Sequence, residues 1–170
     1  MTEIHFTELL PEIVIGLNRE PGLGFHVPVF IPNDLPTFLW PDNTLEQLIV
    51  ASIDQAVSLN YSRKPIRIAI YKRTRLSDIE TLLDIYPSYW MQLRIDVPSL
   101  SCLECCVQES LLDSGFRYED EWAAEDGGSR LIAYSYEKQP VPAFLFWIQN
   151  RKASHSYSFL LPVYETGSRG

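Results

Sequence analysis

Trp90-Met91-Gln92-Leu93-Arg94-Ile95-Asp96-Val97 is the stretch on which the reading of the fold turns. Successive side chains of a strand point to opposite faces, so Met91, Leu93, Ile95 and Val97 share one side and Trp90, Gln92, Arg94 and Asp96 the other. An apolar face backed by a partly polar one fits a sheet that carries helices on one side. Amphipathic helices are found on both sides of it in the sequence. Upstream, Leu45, Leu48, Ile49, Ile53, Ala56 and Val57 recur at three- and four-residue spacing, opposite Glu46, Gln47, Asp54, Gln55 and Ser58. Asn43 with Glu46, or Thr44 with Gln47, supplies a capping box for this helix. A strand, Ile66–Tyr71, follows with Ile66, Ile68 and Ile70 on one face. A second helix begins at the Ser77 and Glu80 capping box, places Ile79, Leu82, Leu83 and Tyr86 on one face, and ends at Pro87. Downstream, a third helix runs from about Ser101 to Asp113 and stops at Gly115.

The remainder reads as strands: Phe116–Trp122, Leu131–Tyr136, Phe144–Ile148 and Ser156–Leu161, with a turn at Asp126-Gly127-Gly128. Two short β-branched runs, Glu12–Gly16 and Val27–Ile31, are expected as strands ahead of the first helix. Residues 21–42 form a Pro-rich extended excursion, since Pro21, Pro28, Pro32, Pro36 and Pro41 exclude a helix there. The expected class is α/β or α+β, a mixed sheet with about three helices alternating with strands and a C-terminal antiparallel meander.

A chain of 170 residues, 46% hydrophobic, is long enough to bury about two thirds of its unfolded surface as one domain, so 1–170 is expected to be a single globular unit. The net charge is -8, which disfavours general binding to nucleic acid or to an anionic membrane surface. No apolar run reaches the roughly 18 residues that a membrane span needs. Met1–Leu10 lacks the basic and apolar regions of a secretory signal, and three cysteines confined to Cys102, Cys105 and Cys106 suit a reducing compartment, so the cytoplasm is the expected location.

Charge is unevenly distributed. Arg63, Lys64, Arg67, Lys72, Arg73 and Arg75 fall in one acid-free segment of an otherwise acidic chain. Lys72, Arg73, Thr74 and Arg75 lie between a strand and a helix start, where an anionic ligand or an acidic partner surface is well placed to dock. Phe38 and Trp40 stand on the stiff Pro-rich segment, and rigid aromatics lose little entropy on binding. With no nucleophile, zinc-protease or phosphate-loop motif, these features point to a non-catalytic binding or adaptor protein that engages another protein through the basic loop and the Pro/aromatic segment, without a cofactor.

Two other readings compete. Arg19-Glu20-Pro21-Gly22-Leu23-Gly24 resembles the RxxGxG loop of acyl-CoA-dependent N-acetyltransferases, and Leu111-Leu112-Asp113-Ser114-Gly115-Phe116 resembles their later LxxxGF turn. That resemblance implies a small enzyme with Arg19, Gly22 and Gly24 in a cofactor loop. A thiol redox or metal protein is the third, because a helix N-terminus lowers the pKa of a thiol in a CxxC such as Cys102–Cys105. Against it, helical spacing fans the three thiols apart, and His5, His26 and His155 are too scattered to complete a zinc site, so no metal is expected. The acids around Glu119–Asp126 read as a solvated hairpin end.

Overall fold

The structure, a computed structural model, describes residues 2–18, 28–58, 66–98, 103–125, 127–137, 139, 142–151 and 154–165. In chain order the elements are β1 (Thr2–Ile4), α1 (Phe6–Asn18), β2 (Val29–Phe30), β3 (Phe38–Trp40), α2 (Thr44–Ser58), β4 (Arg67–Arg73), α3 (Ser77–Leu83), β5 (Tyr89–Val97), α4 (Leu103–Asp113), β6 (Phe116–Ala123), β7 (Ser129–Tyr136), β8 (Phe144–Arg151) and β9 (Ser154–Val163). This is an α+β arrangement with a mixed seven-stranded sheet ordered β2-β4-β5-β9-β8-β7-β6. Only β2 and β4 run parallel; every other pairing in that sheet is antiparallel. β1 and β3 form a separate two-stranded ribbon.

Register separates the faces of the sheet. Leu93 pairs with Ile70 and Phe159, and Ile95 with Ile68 and Tyr157, all of them in the large core beneath the helices. The helices contribute Leu45, Leu48, Ile49 and Ile53 from α2 and Val107 and Leu111 from α4, each at most 2% exposed. Burying one such side chain stabilises the fold by about 1.5–3 kcal/mol. The opposite face carries a smaller core of Ile79, Trp90, Leu131, Ala133, Leu145 and Leu160, to which α3 alone among the helices contributes.

Several sequence expectations are corrected. Glu12–Gly16 is helical, not a strand: Phe6, Leu10 and Val14 are buried at four-residue spacing, and that helical stripe outweighs the strand preference of Ile13-Val14-Ile15 even with Pro11 inside the helix. There are therefore four helices among the described residues. Of the strand expected at Val27–Ile31, Val27 lies outside the described residues and Val29–Phe30 form the strand. The α2 start is capped by neither proposed box; Asp42 instead accepts the Thr44 N–H at 2.9 Å and the Thr44 hydroxyl at 2.6 Å. α3 ends before Pro87, at Asp84, which takes the left-handed conformation with φ 54°. Leu82 and Tyr86 are exposed rather than core. Gly115 does stop α4, at φ +91°, a conformation that side-chain-bearing residues rarely adopt.

Phe38 and Trp40 are likewise corrected. They are 7% and 2% exposed, because β3 turns them inward. The Trp40 ring lies 6.2 Å from Phe38, 5.9 Å from Phe116 and 5.4 Å from Tyr136. The aromatics of the Pro-rich segment are thus core side chains rather than exposed anchors.

Candidate functional site

Where β5 begins and β9 ends, Tyr89 pairs with Val163, and the ribbon strand β3 passes beside them. The gap between is a cavity of about 520 Å³ walled by Phe38, Trp40, Tyr89, Ala143, Pro162 and Val163, with Leu39 and Tyr164 toward solvent. Its polar groups are few: the Thr37 hydroxyl, the Gln139 amide and the two phenols. An apolar cavity with a handful of polar groups suits a flat, largely apolar ligand moiety. Burial, and secondarily the charge of Glu165, pushes the Tyr89 phenol above its ordinary pKa, and burial does the same for Tyr164. Both remain hydrogen-bond donors at neutral pH. Phe38 and Trp40 thus wall a cavity from within the core, and Tyr89, Gln139 and Tyr164 join them from distant parts of the chain. Only the shared parity of Tyr89 with Met91, Leu93 and Ile95 could have singled out one of these in the sequence.

The basic cluster lies next to this cavity. Lys72, Arg73, Thr74 and Arg75 are all exposed at the exit of β4. The Lys72 Nζ stands 4.6 Å from the centre of the Tyr89 ring, against one wall of the cavity. The others are held locally. Arg73 donates from Nε to Gln92 Oε1 at 3.0 Å and covers Tyr71, and Arg75 reaches Glu80 Oε2 at 3.5 Å. The three cations therefore face different partners.

Glu80 is the acid that sequence reasoning assigned to a helix start and that does more. It is 1% exposed, yet its Oε1 accepts the Leu76 N–H at 3.1 Å and the Trp90 indole N–H at 3.3 Å. A buried carboxylate is tolerable because these donors replace water. Its position beside Ile79 was the available sequence signal.

A second polar network anchors α2. Asp42 accepts from Thr44 and, at 2.6 Å, from the Tyr136 hydroxyl, while the Trp40 indole donates to Thr44 Oγ1 at 3.2 Å. The Thr44 hydroxyl, then the Tyr136 hydroxyl, hold the Asp42 carboxyl below its ordinary pKa. Burial, then the bond to Asp42, raises that of Tyr136.

Arg19, Gly22 and Gly24, the proposed cofactor loop, lie outside the described residues, as does Cys102. Cys105 is exposed and Cys106 partly so. No group of three metal-ligating side chains occurs among the described residues, and no helix among them is long and apolar enough to cross a membrane.

No protein-family model and no curated sequence matches the chain. Solved structures do resemble it. The catalytic domain of the histidine kinase ThkA, in a nucleotide-free form, superposes with a TM-score of 0.53 at 11% identity, covering 96% of this chain and 97% of that one. The histidine kinase AdeS of Acinetobacter baumannii gives 0.51 at 10% identity over 96% of this chain and 68% of its own. ThkA solved in complex with the response regulator TrrA gives 0.52 at 12% identity, over 95% of this chain and 41% of the kinase. The likeness corrects the expectation of a non-catalytic adaptor and of an N-acetyltransferase alike: across nearly its whole length, this chain has the fold of histidine kinase catalytic domains.

Proposed function

We propose that this chain is a kinase- or ATPase-like domain that binds a nucleotide and works with a protein partner of the response-regulator kind. The observation that carries the reading is its one-to-one coverage of the free-standing ThkA catalytic domain, 96% of one chain on 97% of the other. The structure of ThkA in complex with the response regulator TrrA supports a protein partner. The chemistry of the aromatic cavity supports the ligand class. A nucleotide is a flat base attached to a polyanion, and here aromatic walls lie beside Lys72, in the most basic stretch of a chain of net charge -8. Stacking would serve the base, and the ammonium would serve a phosphate as a point charge.

Titration of the protein with ATP and magnesium, followed calorimetrically, tests this. Saturable binding at micromolar to millimolar concentration is expected, weakened about tenfold by Lys72→Ala if the phosphates lie at this rim, a loss in the range of one charge-assisted hydrogen bond. Absence of binding for ATP, ADP and GTP up to several millimolar would overturn the nucleotide reading. Binding that Lys72→Ala leaves intact would keep the reading and move the nucleotide out of this cavity.

A further inference from the structure

The face of the sheet opposite the large core is unevenly covered. α3, seven residues long, is the one helix packed on its apolar part, and it leaves Leu82 52% exposed at its outer edge. Between α3 and β6 lie two adjoining cavities, of about 350 and 550 Å³, that share Leu82 and Trp122 as walls. Leu83 and Ile85 floor one of them and Leu131 and Trp147 the other, so an apolar trough runs along the helix. Its margins are acidic: Asp78 on the helix side, and Glu119, Asp120 and Glu121 on the strand side. Arg130 is the one cation among the described lining residues, and it is paired with Glu121.

We propose that this trough is a docking site for a basic amphipathic helix of a protein partner, with apolar side chains between Leu82 and Trp122 and Lys or Arg side chains over Asp78 and Asp120. Charge complementarity selects the occupant: an apolar floor between two acidic margins attracts a segment with the inverse pattern and repels acidic ones. A helix is favoured over an added strand. β6 is the sheet's edge, but its register is broken by a bulge between Tyr118 and Asp120, and its outward positions are dense in charge, two features that block strand addition. Helix-in-groove recognition needs neither backbone pairing nor a regular edge. A second copy of this acidic chain would bring like charges together at the margins, so the occupant is a different, basic segment. Among the described lining residues, the trough meets the aromatic cavity only at Pro142, and the proposal does not depend on nucleotide binding.

The probe is a synthetic Leu/Lys amphipathic helix of about 18 residues, long enough for five turns, with a Leu/Glu peptide of the same pattern as control. Tryptophan fluorescence and calorimetry should report one Leu/Lys peptide bound per chain, with affinity falling as salt rises. Asp78→Lys with Asp120→Lys should weaken binding about tenfold or more, and Leu82→Ser should weaken it severalfold, both without moving the melting temperature by more than a few degrees. The charge-reversed protein should instead gain affinity for the Leu/Glu peptide. Equal binding of both peptides by the wild type would overturn the proposal, as would insensitivity to the charge reversal. Binding unaffected by Leu82→Ser would reduce the contact to unlocalised charge attraction and also overturn it. A concentration-dependent dimer in sedimentation, abolished by Leu82→Ser, would assign the trough to a second copy and equally refute the basic partner.

Discussion

Replacing Glu80 by Ala tests whether one buried carboxylate holds α3 to the sheet. Its Oε1 accepts from the Leu76 N–H and the Trp90 indole, and both Glu80 and Trp90 are at most 1% exposed. Truncation strands the indole N–H in an apolar environment and frees the backbone donor at the start of the helix. Each unsatisfied buried donor costs about 1–3 kcal/mol, and the second is nearer water, so a loss of about 2–4 kcal/mol is expected. For a chain of this size that corresponds to a melting temperature about 6–12 °C lower. Arg75 contributes little of this, because its side chain is 66% exposed and the 3.5 Å pair is screened, so Arg75→Ala should cost less than about 1 kcal/mol. Glu80→Gln keeps an acceptor oxygen in place and should cost about half of the alanine variant or less. Urea unfolding followed by tryptophan fluorescence and by circular dichroism measures all three. If Glu80→Ala is within about 0.5 kcal/mol of wild type, or if Gln and Ala cost the same, the hydrogen bonds to this carboxylate are not what stabilises the junction.

Tyr136→Phe removes the 2.6 Å donor to Asp42 and should cost about 1–2 kcal/mol near pH 7. Because the folded Asp42 pKa is depressed, its stabilisation is present above the unfolded value near 4 and is lost as pH falls through the folded value, so the deficit of Tyr136→Phe should shrink in acid melts. The raised pKa values of Tyr89 and Tyr136 act in the other direction: stability should fall as pH rises past about 10, where the unfolded phenols ionise first, and Tyr89→Phe should flatten that decline. Gly115→Ala should cost about 1–2 kcal/mol although an added Cβ would clash with nothing, its nearest neighbour being Tyr136 in ordinary contact at 3.8 Å, since the strain is in the φ of +91°. Equal stability of the alanine variant by urea unfolding would contradict that. A thiol reagent under native conditions should modify Cys105 faster than Cys106, in the order of their exposure, as mass spectrometry of the labelled peptides would show.

Most of the sheet was legible because its strands announce themselves by parity. Met91, Leu93, Ile95 and Val97 needed nothing beyond alternation to be placed on the core side. α1 was missed for a physical reason: Ile13-Val14-Ile15 reads as a strand over a short window, and the helical stripe appears only when Phe6 and Leu10 are taken together with Val14, across a proline. The helix ends differ from the capping-box reading because the Asp42 carboxylate, one residue before Asn43, takes the Thr44 N–H, and the left-handed backbone of Asp84 ends α3 ahead of Pro87. The site was less accessible still. Trp40, Tyr89, Gln139 and Val163 meet only after four separate segments have been brought together, and no local spacing encodes that meeting. The same is true of the trough, where Leu82 had been read as core on periodicity alone. No motif in the sequence signals the likeness to histidine kinase catalytic domains, which is a likeness of the assembled backbone at 11% identity.

The position of β9 in the middle of the sheet has a consequence for how the chain comes to be folded. β9 lies between β5 and β8, and among the described strands its ten residues are the last to be synthesised. Until then the growing chain holds two incomplete half-sheets, β2-β4-β5 and β8-β7-β6, each presenting a raw apolar edge to the other. Closure is long-range, since it must join Tyr89 to Val163 and Val97 to His155 across most of the C-terminal half of the chain. A chain cut short before β9 would therefore leave the β5 and β8 edges open, prone to capture by any chaperone or neighbouring strand within reach.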